Sequence, residues 1–301
     1  MTSIIITGSG GFLGSHLMHH LSDYHPYGVT SKAYDLRREA HIDALFKHTQ
    51  PDIIFQLAAN VGGIKHNLAN PASIYYDNVM MNTQLIHKAM LSSVKKFVFV
   101  GSVCSYPDNV PMPTNERQLW QGYPEESNSA YGISKLVALE QLQAYHSQHG
   151  FNFAYPILAN LYGPGDSGFF EQSRAHLIPS LIKRFVSNPP AVQMFGKGLL
   201  TRDFLYVEDA CRALSRFIGV DYSEPINIAT GKEVSKLKLT DLIVELTGYK
   251  GKVEYDGKPD EGQLKRCYTT RLAKKVLDWQ AQTDIKTGLQ KTIDWYKDKI
   301  K

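Results

Sequence analysis

The sequence predicts an α/β protein in which a doubly wound parallel sheet carries a smaller C-terminal α/β domain, and three observations lead there. Short β-branched runs alternate with stretches of helical spacing as far as Leu158, a βαβαβ rhythm. A glycine-rich turn, Gly8-Ser-Gly-Gly11-Phe-Leu-Gly14, stands between the first strand and the first helix. After Tyr162-Gly-Pro-Gly165 the alternation loosens, with prolines at 164, 179, 189 and 190.

The elements follow in order. Ser3 to Thr7 reads as the first strand and Gly14 to about Ser22 as the first helix. The strand Tyr27-Gly-Val-Thr30, a helix near Glu39 to His48 and the strand Asp52 to Leu57 come next. A long helix around Pro71 to Ser92, the strand Phe97 to Val100, a helix from about Tyr131 to Gln148 and the strand Phe153 to Leu158 complete the rhythm. Beyond it the strongest helices are Lys238 to Leu246 and Ile285 to Lys297, where Ile285, Leu289, Ile293 and Tyr296 recur at helical spacing. The expected division is residues 1–162 as one domain, joined by late strands from about 200–230, and residues 163–301 as mainly a second.

At 301 residues the chain buries a full core, and its 43% hydrophobic and 21% charged composition is globular. The net charge of +4 is mild and the lysines and arginines are scattered, which disfavours a nucleic-acid surface and suits a phosphorylated small molecule. Cys104, Cys211 and Cys267 are odd in number and far apart, so neither a disulfide framework nor a metal site is expected, and a reducing, cytoplasmic setting is. The first 22 residues lack Asp, Glu, Lys and Arg, but they have no basic start and carry four glycines, unlike a secretory signal. No apolar run approaches the ~20 residues of a membrane span.

The glycine turn opens a helix, so backbone amides there approach a pyrophosphate with no Cβ in the way. Gly8, Gly11 and Gly14, with Ser9, Phe12 and Leu13 between and beside them, form this candidate dinucleotide cradle of a Rossmann domain. The second strand ends Val29-Thr-Ser31-Lys32, where a hydroxyl and a cation suit a 2′-phosphate, hence NADP rather than NAD. Asp35 and Leu36 are placed to meet the adenine edge. Leu57, Ala58 and Ala59 close the third strand with side chains that let a cofactor lie flat.

Tyr131 and Lys135 are four apart and share a helix face. A nearby ammonium is expected to lower the phenol pKa from its usual value of about 10 and make the pair a usable acid or base. In Gly101-Ser-Val-Cys-Ser-Tyr-Pro107, Ser102 and Cys104 are two residues apart just past a buried strand and point the same way. Ser102 is placed to bond the same substrate oxygen as Tyr131, an arrangement that moves a proton while hydride passes to or from a cofactor.

Gly8-x-x-Gly11-x-x-Gly14, Leu57-Ala-Ala59, Ser102, Tyr131-x-x-x-Lys135 and Asn160-Leu-Tyr-Gly-Pro164 together resemble the extended short-chain dehydrogenase/reductase family over essentially the whole chain. Within it, Ala59-Asn-Val-Gly-Gly-Ile64, Gly101 to Pro107, Pro124 with Ala130-Tyr131, and Ala175-His-Leu-Ile-Pro179 are most similar to the GDP-L-fucose synthase branch. The resemblance implies a cytoplasmic homodimer that takes a GDP-sugar, epimerises a 4-keto sugar at C3 and C5, and reduces C4 with NADPH. It implies Cys104 as base, His176 as acid, Tyr131 and Ser102 on the C4 oxygen, and Lys135 on the nicotinamide ribose. It adds Val61, Asn160, Leu161 and His176 to the cofactor contacts, and Arg184, Phe195, Arg202 and Arg266 to the substrate contacts. Cys211 and Cys267 have no role in it.

The chain departs from that branch in two places. Ser9-Gly10 stands where a histidine and arginine are usual, leaving Lys32 as the main cation for a 2′-phosphate, and Phe195 stands where tryptophan is common. GDP-mannose 3,5-epimerases share the Ser-x-Cys-x-Tyr-Pro stretch, whereas His176 favours the branch that also reduces. Two alternatives stay open: a redox-neutral GDP-sugar epimerase with bound NAD, acting on GDP-mannose or a GDP-heptose, and a non-catalytic dinucleotide-binding regulator.

Overall fold

The computed structural model describes residues 2–166, 176–259 and 263–301. The first half runs β1 (Ile4–Thr7), α1 (Phe12–His20), β2 (Tyr27–Val29), α2 (Glu39–Thr49), β3 (Ile53–Gln56), α3 (Ile64–Ala69), α4 (Pro71–Leu91), β4 (Lys96–Phe99), β5 (Gly101–Ser102), α5 (Ser129–His149) and β6 (Phe153–Leu158). The second half follows with β7 (Asn160–Tyr162), α6 (Leu177–Val186), β8 (Ala191–Met194), β9 (Thr201–Tyr206), α7 (Val207–Arg216), β10 (Pro225–Ile228), β11 (Glu233–Ser235), α8 (Lys236–Thr247), β12 (Lys252–Tyr255), α9 (Arg271–Leu277) and α10 (Ile285–Lys299).

Every pairing in the main sheet is parallel, and the strand order is β10-β6-β4-β3-β1-β2, with β5 also beside β6. Strands β1, β3, β4, β6 and β10 are buried at every position, as a sheet covered by helices on both faces requires. Helix α1 packs against α7, whereas α4 packs against both α2 and α5. The chain winds outward in opposite directions from β1, so the loops after β1 and β3 flank a crevice at the carboxyl ends of the strands. Among the described residues no helix is long and apolar enough to cross a membrane.

Away from this sheet, β9 pairs antiparallel with β11 and parallel with β7, and β12 pairs with β8. A separate apolar cluster that includes Ile182, Phe185, Met194, Ile243 and Ile293 fills this region. Helix α7 buries Val207, Ala210, Cys211 and Leu214, an i, i+3, i+4, i+7 pattern present in the sequence but obscured by its charged exterior.

Local departures from the expected boundaries have physical causes. Helix α1 begins at Phe12 because Gly11 is still extended at φ −84° and ψ 176°. The strand read as Phe97 to Val100 starts at Lys96, a buried residue whose Nζ donates to Asn152 Oδ1 and Val220 O, both at 2.7 Å.

Candidate active site

The glycine turn is shaped by close approach. Gly8 has φ +66°, and a Cβ on it would lie 3.0 Å from the Ala58 nitrogen. A Cβ on Gly14 would lie 2.1 Å from Gly8 O, so the first turn of α1 rests directly on the loop before it. Gly11 N donates to Gly8 O at 2.9 Å. The Thr7 hydroxyl accepts from Leu57 N and Ala58 N, both at 3.1 Å, and donates to Gln56 Oε1, which ties the end of β3 to β1. Gly10 and Gly11 remain exposed at the helix start, so the cradle fits a dinucleotide pyrophosphate. Ser9 turns inward, 9% exposed beside Gly28, and Phe12 and Leu13 are half-buried.

At the end of β2, Ser31 and Lys32 are exposed. The Asp35 carboxylate accepts from Arg37 Nε and Nη2 at 2.9 Å each, and these bonds hold its pKa down at about 2. Arg37 also reaches Asp77 at 2.9 Å, and Asp77 accepts from Asn60 Nδ2 at 2.9 Å. Asn78 grips the backbone of Asn60 from both sides, at 2.9 and 2.8 Å. This network sets the loop of Ala59 and Val61, both half-buried. No local sequence pattern marks Arg37, Asp77 and Asn78, because Arg37 meets Asp77 across 40 residues of chain and Asn78 meets Asn60 across 18. The Leu36 side chain is 3% exposed in the core, so any adenine contact there falls to its backbone.

Ser102, Cys104, Tyr131 and Lys135 come together beyond β5. Ser102 ends that strand, and its Oγ accepts from Cys104 N at 3.2 Å, capping the tight turn Val103–Ser105. The Tyr131 hydroxyl is hydrogen-bonded to Ser102 and lies within electrostatic reach of Cys104. Lys135 is 2% exposed, its Nζ donating to Val100 O at 2.9 Å and sitting 4.6 Å from the Phe99 ring centre and 5.5 Å from that of Tyr131.

The electrostatics depart from the expectation of a lowered phenol pKa. Burial pushes Tyr131 up, reinforced by Cys104 and only partly offset by the Ser102 bond. Lys135 cannot reverse this, because burial brings its own pKa down to about 7. The tyrosine is therefore a protonated phenol at neutral pH, the form that donates.

Two contacts lock the Cys104 turn to α5. Ser105 Oγ donates to Gly132 O at 3.1 Å, and a Cβ on Gly132 would lie 2.4 Å from Cys104 O. Gly132→Ala is accordingly expected to drive the turn off the helix, costing about 1–3 kcal/mol in urea unfolding with loss of activity. Wild-type stability and turnover in that variant would show that the contact is not limiting.

Arg202 and Arg266 also meet. Arg202 Nη1 donates to Thr201 O and Gln263 O at 2.8 Å each, and burial, then the Arg266 charge, lower its pKa. Arg202 and Tyr268 both lie within electrostatic reach of Cys104. The other expected residues are placed apart. Arg184 on α6 turns its guanidinium onto Gln193 O and, at 3.8 Å, the Met194 sulfur. Phe195 is 73% exposed after β8. Asn160 Nδ2 donates to Asp203 O at 2.9 Å, and Leu161 packs at the edge of the main core. His176 is exposed at the start of α6, and among the described residues no contact links it to Ser102, Cys104 or Tyr131. Ala175 lies outside the described residues.

Comparison with known proteins agrees with this geometry. Residues 4–229 match the model of the NAD dependent epimerase/dehydratase family. GDP-L-fucose synthase 1 of Arabidopsis thaliana is 33% identical over 97% of this chain and 92% of its own length. GDP-mannose 3,5-epimerase 1 of Oryza sativa subsp. indica is 28% identical over 99% of this chain and 82% of its own. The crystal structure of a GDP-L-fucose synthetase from Naegleria fowleri superposes with a TM-score of 0.89 at 25% identity, covering 99% of this chain and 94% of that one. With the glycine cradle, the parallel sheet and the serine, tyrosine and lysine in place, this chain belongs to the NAD-dependent epimerase/dehydratase family.

Proposed function

We propose that the protein is an NADPH-dependent nucleotide-sugar 3,5-epimerase and 4-reductase acting on a GDP-4-keto-6-deoxy hexose. The observation that carries this reading is Cys104 beside the Ser102 and Tyr131 pair, with Arg202 within electrostatic reach of the same thiol. Its likeness to GDP-L-fucose synthase 1 of Arabidopsis thaliana supports it. In this reading residues 1–162 mainly hold the cofactor and residues 163–301 mainly the nucleotide sugar.

A ketone acidifies the C–H bonds beside it, because the electron pair released moves onto the carbonyl oxygen. Cys104 takes the C3 proton, and the resulting enolate oxygen is held by the Tyr131 and Ser102 hydroxyls. His176 returns a proton to the opposite face of C3, and the same exchange repeats at C5. NADPH, when bound, supplies hydride to C4. Tyr131 then gives its proton to the C4 oxygen, and Lys135 holds the ribose next to it. Arg202 and Arg266 take the diphosphate, where guanidinium forks match phosphate oxygens.

The Lys135 value of about 7 has a measurable consequence. Above pH 7 the free chain holds the amine neutral, so a cofactor that prefers the ammonium binds with proton uptake. Its affinity is expected to fall as pH rises above 7, by at most about tenfold per unit. Calorimetry in two buffers of different ionisation enthalpy reads the uptake directly; none at pH 8 would remove Lys135 from the ribose.

A second reading, a redox-neutral epimerase retaining NAD, is supported by the likeness to GDP-mannose 3,5-epimerase 1 of Oryza sativa subsp. indica. Incubation with GDP-4-keto-6-deoxymannose and NADPH separates the two. Loss of absorbance from the reduced cofactor, with one GDP-sugar formed per NADPH, is expected, and no oxidation would reject the reductase.

A further inference from the structure

Glu125 has no part in the chemistry above, yet its carboxylate ties the segment that leads into α5 to Arg266. Its side chain is 19% exposed and accepts from Ser127 Oγ and, at 2.9 Å, from Asn128 Nδ2. Arg266 Nη2 lies 3.5 Å away. Asn128, the residue before α5, accepts from Asn67 Nδ2 at 2.9 Å, and Asn67 Oδ1 accepts from Gly62 N at 3.0 Å. A continuous line of polar contacts thus joins Arg266 to the start of the Tyr131 helix and to the loop after β3.

Arg266 needs such a partner. Its side chain is only 11% exposed, and it shares its surroundings with the like-charged Arg202. Asp108 is more distant at 3.8 Å, and Arg266 Nε is occupied by Gln263 Oε1. Although burial opposes it, the bonds from Ser127 and Asn128 and the Arg266 charge keep Glu125 below its ordinary pKa, so an anion faces Arg266 at neutral pH.

We propose that Glu125 is a positioning residue that fixes the Arg266 guanidinium for a ligand diphosphate and keeps it in register with the helix carrying Tyr131. The identity of the ligand rests on the nucleotide-sugar reading; the orientation of Arg266 does not. Glu125→Gln preserves the shape and one of the two acceptor oxygens that Ser127 and Asn128 use, while removing the charge that holds Arg266.

The test compares wild type, Glu125→Gln, Arg266→Met and the double variant by calorimetric titration with GDP, and follows the Arg266 Nη–H resonances, the side that faces Glu125, in 15N spectra. Glu125→Gln is expected to weaken GDP binding about tenfold, and to add less than about twofold once Arg266 is methionine, because it acts through that guanidinium. The Nη–H resonances are expected to be held distinct by the Glu125 contact in wild type and to average together in Glu125→Gln. Equal or tighter GDP binding, a tenfold loss that persists without Arg266, or Nη–H resonances unchanged by Glu125→Gln would overturn the proposal. If the wild-type chain binds no GDP, the substrate reading fails, and the resonances alone then decide the positioning role. Should Glu125→Gln fail to fold, Glu125→Asp, with shorter reach, supplies the same comparison.

Discussion

Tyr131→Phe is expected to lower C4 reduction by roughly 10²- to 10⁴-fold, the range for a positioned proton donor, while leaving cofactor binding and folding near wild type. The expectation follows from how the side chain is held. Its hydroxyl touches Ser102, whereas its ring packs beside Lys135, so phenylalanine keeps the ring contact and removes only the donor. The lost Ser102 bond costs about 1 kcal/mol, which urea unfolding resolves. Because burial raises the phenol, the wild-type donor stays protonated well above neutrality, and no alkaline limb of the rate profile below pH 10 should vanish in the variant. A variant that reduces at the wild-type rate would leave this site without its acid.

The second large effect belongs to Cys104→Ser, in which exchange of substrate C3 and C5 protons with solvent is expected to fall by roughly 10²- to 10⁴-fold. A serine hydroxyl occupies nearly the same space but does not ionise in the range where a thiol does. The turn itself is held by backbone groups, Cys104 N to Ser102 Oγ at 3.2 Å and Cys104 O against Gly132, and both survive the change. Cofactor affinity should therefore hold while solvent deuterium no longer enters the sugar. Unchanged exchange would assign the base elsewhere. Cys211 is a poor substitute, since it is buried on α7 and its thiol is pushed up to about 12.

What could be read in the sequence was local. The glycine turn, the β-branched strands and the spacing of Tyr131 to Lys135 each depend on residues within one turn or one strand, where pattern and geometry coincide. What escaped depends on long loops closing. Thr7 finds Gln56 across 49 residues, Arg37 finds Asp77 across 40, and Arg202 finds Arg266 only through the fold. The phenol pKa went the wrong way for a related reason. Helical spacing places an amine near the ring but says nothing of how deeply both are buried, and burial is the larger influence on each. His176 and Phe195 entered through family likeness, and the exposed positions they occupy give their proposed roles no local support.

The central claim is that one site moves protons beside a ketone and then completes its reduction. Turnover of GDP-4-keto-6-deoxymannose with NADPH in D2O, read by mass and NMR of the product, tests it most directly. The account predicts a reduced GDP-sugar carrying solvent deuterium at both C3 and C5. A product reduced at C4 but free of deuterium at those carbons would contradict it.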